Sequence, residues 1–395
     1  MSQPGRAKLA PHEAKITEWL AARKAAMIEL LGEVVNIDSG SYDKPGVDAV
    51  GERFLRFFAE HGLPTTVEPH ERFGNALHIR LDDTRPNEKP VLLMGHRDTV
   101  FPKGEAGRRP FRIENGRAYG PGVADMKAGL VMNAFVLAAF KALGGAPAPV
   151  IGLITADEEI ASQSSRPIIE RMARGARCVF NAEPGRPNGN IVTGRKGGVF
   201  SRFEVFGKAA HSGGNFEKGI SAIGEMAHKI LAMHALTDLA RGVTINVGLV
   251  KGGQSVNTTA PHAEGQIDLR YVRPADRAPA IAALQAIIDK ATVPGTTARL
   301  ETIGEFLPLT TTGAAETLFA GYRAAAADAG LAIEGEFSGG CADSGFTAAV
   351  GCPTLCSTGP VGGNAHTAEE YLEVDSIVPR AQALALAILR LPAAA

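Results

Sequence analysis

The chain has a single tryptophan, five tyrosines and only four cysteines in 395 residues, and neither sign of charge prevails: 41 Lys and Arg against 42 Asp and Glu leave a formal net charge of −1. That balance excludes a dedicated nucleic-acid binder, whose footprint is a basic surplus or stripe. Cys178, Cys341, Cys352 and Cys356 show no paired metal-site spacing, so free thiols are expected. Met1 to Ala10 lack the apolar core of a secretion signal, and no apolar stretch approaches the length of a membrane span. The sequence therefore reads as a soluble cytoplasmic protein without nucleic-acid or membrane partners. It has no internal repeat and no low-complexity segment beyond a short alanine-rich tail.

Apolar residues make up 45% of the chain, enough for a large core, and the length suggests two or three domains. Ile16, Leu20, Met27, Leu30, Leu31 and Val34 recur at helical spacing and predict one long amphipathic helix after Pro11. Short apolar runs at 91–94, 150–155 and 178–181 then alternate with helical patterns at 125–143 and 165–172. This is the rhythm of an α/β fold, a mostly parallel sheet with helices on both faces. After Gly197 the order changes to strand 199–206, helix 217–236, strands 243–250 and 263–272, helix 274–291 and strand 297–303. That β-α-β-β-α-β order predicts a ferredoxin-like α+β insertion. A helix near 316–329, a buried strand near 353–357 and a last helix at 377–391 resume the first rhythm. The expected division is a discontinuous catalytic domain, 1–197 and 305–395, around an inserted domain, 198–304.

The chemistry concentrates at strand ends. In Met94-Gly95-His96-Arg97-Asp98-Thr99-Val100, His96 and Asp98 lie two residues apart, so an extended chain points them the same way. They end a buried strand, where open α/β sheets place ligands. In Tyr119-Gly120-Pro121-Gly122-Val123-Ala124-Asp125, glycines and proline shape a loop and Asp125 opens a helix, where an ordinary N-cap is the plainer alternative. Asp157-Glu158-Glu159 follow strand 150–155. Three adjacent carboxylates repel one another, so they mark either a solvated turn or a divalent cation. Glu183 ends the next strand, and His366 lies in a Gly-rich loop after the last buried one. Two imidazoles and several carboxylates at one sheet edge suit two zinc ions that share a water of lowered pKa, with an unligated carboxylate as base. Sites of this kind hydrolyse amides.

The ordered motifs GHRDTV, YGPGVADMK, TADEE, FNAEP and GNAHTAEEY resemble the di-zinc metallopeptidase and amidohydrolase family of glutamate carboxypeptidase, succinyl-diaminopimelate desuccinylase, peptidase T and aminoacylase-1. The likeness spans nearly the whole chain. It implies two Zn²⁺ per chain, one held by His96, Asp125 and Glu183, the other by Asp125, Glu159 and His366. It makes Glu158 the general base, gives Asp98 the role of orienting His96, and implies a cis peptide between Asp125 and Met126. It makes the insertion a lid and dimerisation domain, in which His211 stabilises the oxyanion at the partner's site of a homodimer. Asn257 and Arg270 would hold the substrate's terminal carboxylate. The remaining histidines match none of these motifs and are read as surface or structural.

Segments HRDTVFPKG, PFRIENGRAYGPG and NIDSGSYDKPGVDAVG are most similar to the glutamate carboxypeptidase branch. The expected activity is cleavage of an amide beside a free C-terminal carboxylate, in N-acyl or folate-type conjugates or short peptides. An aminopeptidase or dipeptidase of the same architecture is the second reading, and a catalytically silent binding protein the third. Glutamate selection calls for a further cation; where that branch leads one to expect it, only Arg186 is basic and Glu305 has the opposite sign. Cys341, in a Gly-rich turn expected near the site, has no paired base that would make it a nucleophile.

Overall fold

The computed structural model describes residues 9–81 and 88–392. Most of the amino-terminal segment read above for a secretion signal, and the end of the alanine tail, lie outside them. Two compact units emerge: one runs to Gly194 and includes Leu309–Phe337 and the chain from Phe346, the other comprises Arg195–Pro308 and Ser338–Gly345. Residues 338–345, assigned from sequence to the catalytic segment, thus cluster with the inserted unit.

The first unit is built on an eight-stranded sheet. Its centre is parallel: Val150–Thr155 pairs with Val91–His96, which pairs with Cys178–Asn181, which pairs with Thr354–Cys356. Outer strands are antiparallel, among them Ala76–Arg80 on one side and Ile191–Arg195 on the other. The central runs are continuously apolar because they are covered on both faces, and strand Val91–His96 is buried along its whole length. Helix Ala128–Ala142 is the core helix, buried at almost every position, and the last helix, Ile377–Leu389, packs on it and on helix Gly313–Asp328. Gly129 permits its close approach to the sheet, since a Cβ there would lie 1.9 Å from the Ala182 carbonyl oxygen. Contrary to the sequence reading, Val123–Ala142 is as long and apolar as a membrane span, but 94% of that stretch is buried inside the protein.

Two expected elements differ. The amino-terminal helix is two, Pro11–Ala21 and Lys24–Val35. Arg23 marks the break: its guanidinium lies 3.5 Å from the centre of the Trp19 ring and donates to the Trp19 carbonyl at 3.1 Å, taking up an end-of-helix acceptor. The helix expected from Asp125 begins regularly only at Ala128. Residues 123–127 form an irregular turn in which Asp125 has φ −107° and ψ 93° and the Asp125–Met126 peptide is cis, so Asp125 is no N-cap.

The second unit has the order strand Gly197–Phe206, helix Ala222–His234, strands Thr244–Gly252 and His262–Tyr271, helix Pro274–Asp289 and strand Thr297–Phe306. The sheet is antiparallel, with strand 262–271 between 244–252 and 197–206, and strand 297–306 on the far edge. This is the ferredoxin-like arrangement. Its own core includes Phe203, Met226, Leu269, Tyr271 and Leu284.

Candidate metal centre

Four of the acidic or imidazole side chains meet because the three strands that carry them are parallel neighbours. His96 is paired across the sheet with Thr155, so the chain emerging from 150–155 delivers Asp157, Glu158 and Glu159 beside it. Met94 is paired with Asn181, which carries Glu183 level with His96 on the other side. Asp125 arrives from the irregular turn, and a four-stranded minor sheet, in which Gly362–Gly363, Tyr371–Glu373 and Arg117–Tyr119 pair in succession, brings the His366 loop to it.

His96 Nε2 lies 3.4 Å from Asp125 Oδ1, 3.6 Å from Glu183 Oε1 and 3.8 Å from Glu158 Oε2. His366 Nε2 lies 3.3 Å from Asp125 Oδ2 and 3.0 Å from Glu159 Oε2. Asp125 therefore stands between the two imidazoles, one carboxylate oxygen toward each. Of the three consecutive acids only two face this centre. Asp157 is fully buried and turned away, accepting from the Ser164 backbone N–H and hydroxyl and from Ser165. A solvated turn is excluded.

Behind His96, Asp98 is enclosed. Its Oδ1 lies 3.3 Å from His96 Nδ1, and the carboxylate accepts from the backbone N–H of Glu158 and Glu159 at 3.1 and 3.2 Å and from Ser41 Oγ at 2.7 Å. One buried acid thus orients the imidazole and the turn carrying Glu158 and Glu159. Glu370 does the same on the other side: its oxygens accept from the backbone N–H of Gly122, Ala124 and Asp125 at 2.8–2.9 Å. The sequence reading missed Glu370. Its signal was its place inside the motif GNAHTAEEY, four residues after His366, but the motif alone does not tell it from any loop glutamate.

Burial opposes a charge on His96, but Asp125 and Asp98 beside it outweigh burial and hold its pKa well above the usual imidazole range. Contacts with Asp125 and Glu159 raise His366 to about 10, against its partial burial. Burial, then the Asp125 charge, push Glu159 up to about 7. Asp125 itself is held low by His366 and His96 despite burial. His96 Nε2 and Asp125 Oδ1 are nonetheless buried with no hydrogen-bond partner among the described residues. Buried polar atoms left without a hydrogen bond are costly, and a divalent cation, binding the deprotonated imidazole and the carboxylate, would satisfy both. The donor set fits metal. A third His/Glu group, Glu204, His262 and Glu264 in the second unit, does not, because Arg202, Arg299 and Lys251 already neutralise its carboxylates.

The other expected residues lie in the second unit. His211 is exposed, and its Nδ1 accepts from the backbone N–H of Gly213 and Gly214 at 3.1 Å each, which leaves the proton of the neutral ring on Nε2. Asn257 is adjacent: its carbonyl accepts from Ser212 N at 3.0 Å, and His211 bridges to Thr258. Arg270 is not with them. The His211 and Asn257 loops meet near the start of strand His262–Tyr271 and Arg270 lies near its end, about 25 Å away at the usual rise per residue. There its guanidinium is held by Asp268, at 2.6 Å, and by Cys341 Sγ, at 2.8 Å. Burial pushes the Cys341 thiol up despite that arginine, which favours the thiol over the nucleophilic thiolate.

A parallel-centred α/β sheet carrying two imidazoles and four carboxylates at its carboxyl edge is the frame of a metal-dependent hydrolase. More narrowly, residues 92–390 match peptidase family M20/M25/M40, and the chain belongs to that family. It is 29% identical over 379 residues to carboxypeptidase G2 of Pseudomonas sp. (strain RS-16), across 93% of this chain and 90% of that one. It is 30% identical over 237 residues to acetylornithine deacetylase of Pasteurella multocida (strain Pm70), across 55% and 60% of the two. Among solved structures, the M20 family metallo-carboxypeptidase Sso-CP2 of Sulfolobus solfataricus superposes with a TM-score of 0.77 at 18% identity, over 92% of this chain and 98% of that one. The di-peptidase Dug1p of Saccharomyces cerevisiae gives 0.76 at 16%, over 96% and 98%. These structural likenesses are of fold.

Proposed function

We propose that the protein is a di-zinc hydrolase that cleaves an amide bond beside a free C-terminal carboxylate, in N-acyl amino acids or short peptides. The observation that carries this is the buried, unpartnered His96 Nε2 facing Asp125, Glu158 and Glu183. His96, Asp125 and Glu183 would hold one ion and Asp125, Glu159 and His366 the other. When bound, the ions supply the positive charge that polarises an amide carbonyl and acidifies water. Glu158, beside the ligands but in neither set, takes the proton from the attacking water and passes it to the leaving nitrogen. Asp98 keeps His96 in one orientation, so that Nε2 presents its lone pair to the ion.

The substrate's carbonyl oxygen is met by the Nε2–H of His211, and its carboxylate by Asn257 and by the Arg270 fork. His211 and Asn257 sit at one end of the lid sheet and Arg270 at the other, a separation that suits sites built from two subunits. In this reading the protein is a cytoplasmic homodimer joined through its lid units, with the partner's His211 acting at each site. Carboxypeptidase G2 is aligned along most of both chains, which favours a carboxypeptidase-like activity. Glutamate is not singled out: Arg186 is taken up by Glu336 and Glu305 by Arg277, leaving no spare cation at either position.

The test is a panel of N-acyl amino acids, their C-terminal amides and free-amine dipeptides, with zinc or with chelator. Chelator-sensitive cleavage of the N-acyl acids is expected, with the amides at least tenfold poorer. Preference for free-amine dipeptides whatever their C-terminus would replace this reading with an aminopeptidase.

A further inference from the structure

Against the centre, within the first unit, lies a cleft of about 560 Å³, a volume within the usual range of small-molecule sites. Glu159 is shared: it lines the cleft, and its Oε2 meets His366 at 3.0 Å. The rest of the lining comes from the 40–43 and 99–103 segments and Ile160. Those segments are laced to each other, Thr99 N to the Ser39 carbonyl at 2.8 Å and Ser41 N to the Thr99 carbonyl at 3.2 Å, and Ser41 also holds Asp98. The cleft is thus fixed in place by the same residues that orient His96.

Its lining is mainly apolar and carries no excess of positive charge. Tyr42 and Val100 are large side chains left 71% and 42% exposed on it, joined by Phe101, Pro102 and Ile160. Arg109 lies 4.7 Å from the centre of the Phe101 ring and is itself anchored by Glu105 and by the Ala368 carbonyl, which holds the aromatic wall. At the rim, Lys103 and Asp43 stand 3.5 Å apart and cancel one another, so no net cation is offered to an anionic group.

We propose that this cleft receives the acyl half of the substrate and selects an uncharged, bulky apolar acyl group over a small or an anionic one. The inference rests on the amidohydrolase reading above. It follows because an acyl group extending from a carbonyl at the metals meets Glu159 and then this surface, and covering Tyr42 and Val100 removes apolar area from water.

The experiment compares kcat/KM of the zinc-loaded enzyme for N-benzoyl, N-acetyl and N-succinyl derivatives of whichever amino acid turns over fastest. The benzoyl-to-acetyl ratio should be about tenfold or more, and succinyl no better than acetyl. Val100→Trp, which fills the cleft, and Tyr42→Ala, which removes a wall, should each lower that ratio at least threefold. Calorimetric affinities for the same compounds in a Glu158→Gln background should follow the same order. Both substitutions are at solvent-exposed positions, and unchanged thermal unfolding establishes that they fold. A wild-type ratio near one, a succinyl preference, or a ratio untouched by Val100→Trp overturns the cleft assignment while leaving amide hydrolysis intact. Absence of chelator-sensitive cleavage of any N-acyl amino acid overturns the underlying reading and this inference with it.

Discussion

At the residue scale the proposed roles separate acids that would hold metal from the acid that would move a proton. Glu158→Gln should retain about two zinc ions per chain by elemental analysis yet lose several orders of magnitude in kcat, because a base disappears and no ligand does. Glu159→Gln should lose metal first. If Glu158→Gln loses zinc instead, Glu158 is a ligand. Glu370→Ala should strand three backbone donors, at a cost of about 1–3 kcal/mol each; it should lower Tm and weaken metal binding at least tenfold, with Glu370→Gln between the two. Normal zinc affinity in Glu370→Ala would show that the Asp125 turn holds its shape unaided. Protonation has a definite sign. In the metal-free protein His366 is raised to about 10, so its contribution to stability is full below the unfolded imidazole value and is lost as pH climbs through 10. Glu159, raised to about 7, costs stability as it ionises between its ordinary value and 7. Zinc needs both deprotonated. The difference in Tm between zinc-loaded and chelated protein should therefore widen from pH 6 to pH 9, and a constant difference would contradict the ligand roles of these two residues.

At the scale of elements, the parallel register of three neighbouring strands does most of the assembly, and it was legible because each strand is an apolar run ending in a recognisable His or acid. The turn that carries Asp125 was less so: glycines and a proline announced a loop, but only contact with Glu370 and the minor sheet shows why Asp125 leaves the helical path. The lid sheet sets the other geometry, with His211 and Asn257 at one end and Arg270 at the other. Mixing Glu158→Ala and His211→Ala chains, each inactive alone, should restore activity if His211 serves its partner's site. Random exchange puts half the dimers in the mixed form with one sound site of two, so recovery should approach about a quarter of wild type. A mixture that stays inactive despite demonstrated exchange places His211 at its own site or at none. Arg270→Ala should raise KM for free-acid substrates and make them nearly as poor as their amides, and a wild type that treats acids and amides alike would remove the carboxylate clamp.

At the scale of the molecule, bound metals would link separate stretches of chain, since the proposed ligands come from 96, 125, 159, 183 and 366. Chelation should therefore lower Tm cooperatively, by an amount that grows with zinc excess as mass action requires, and a Tm indifferent to chelator would mean that the ions do not hold the folded state. The sequence by itself determined the α/β class, the β-α-β-β-α-β insertion and the identity of the acids and imidazoles, because hydrophobic period and strand-end chemistry are local and survive in one dimension. It could not assign residues 338–345 to the second unit, break the amino-terminal helix at Arg23, turn Asp157 away from Glu158 and Glu159, or single out Glu370. Those depend on which distant groups are neighbours in space: the Trp19 ring and carbonyl, the Ser164 and Ser165 hydroxyls, the Arg270 guanidinium and the backbone N–H groups of the Asp125 turn. A buried polar group must find its partner wherever the fold brings one, and sequence distance carries no information about where that is.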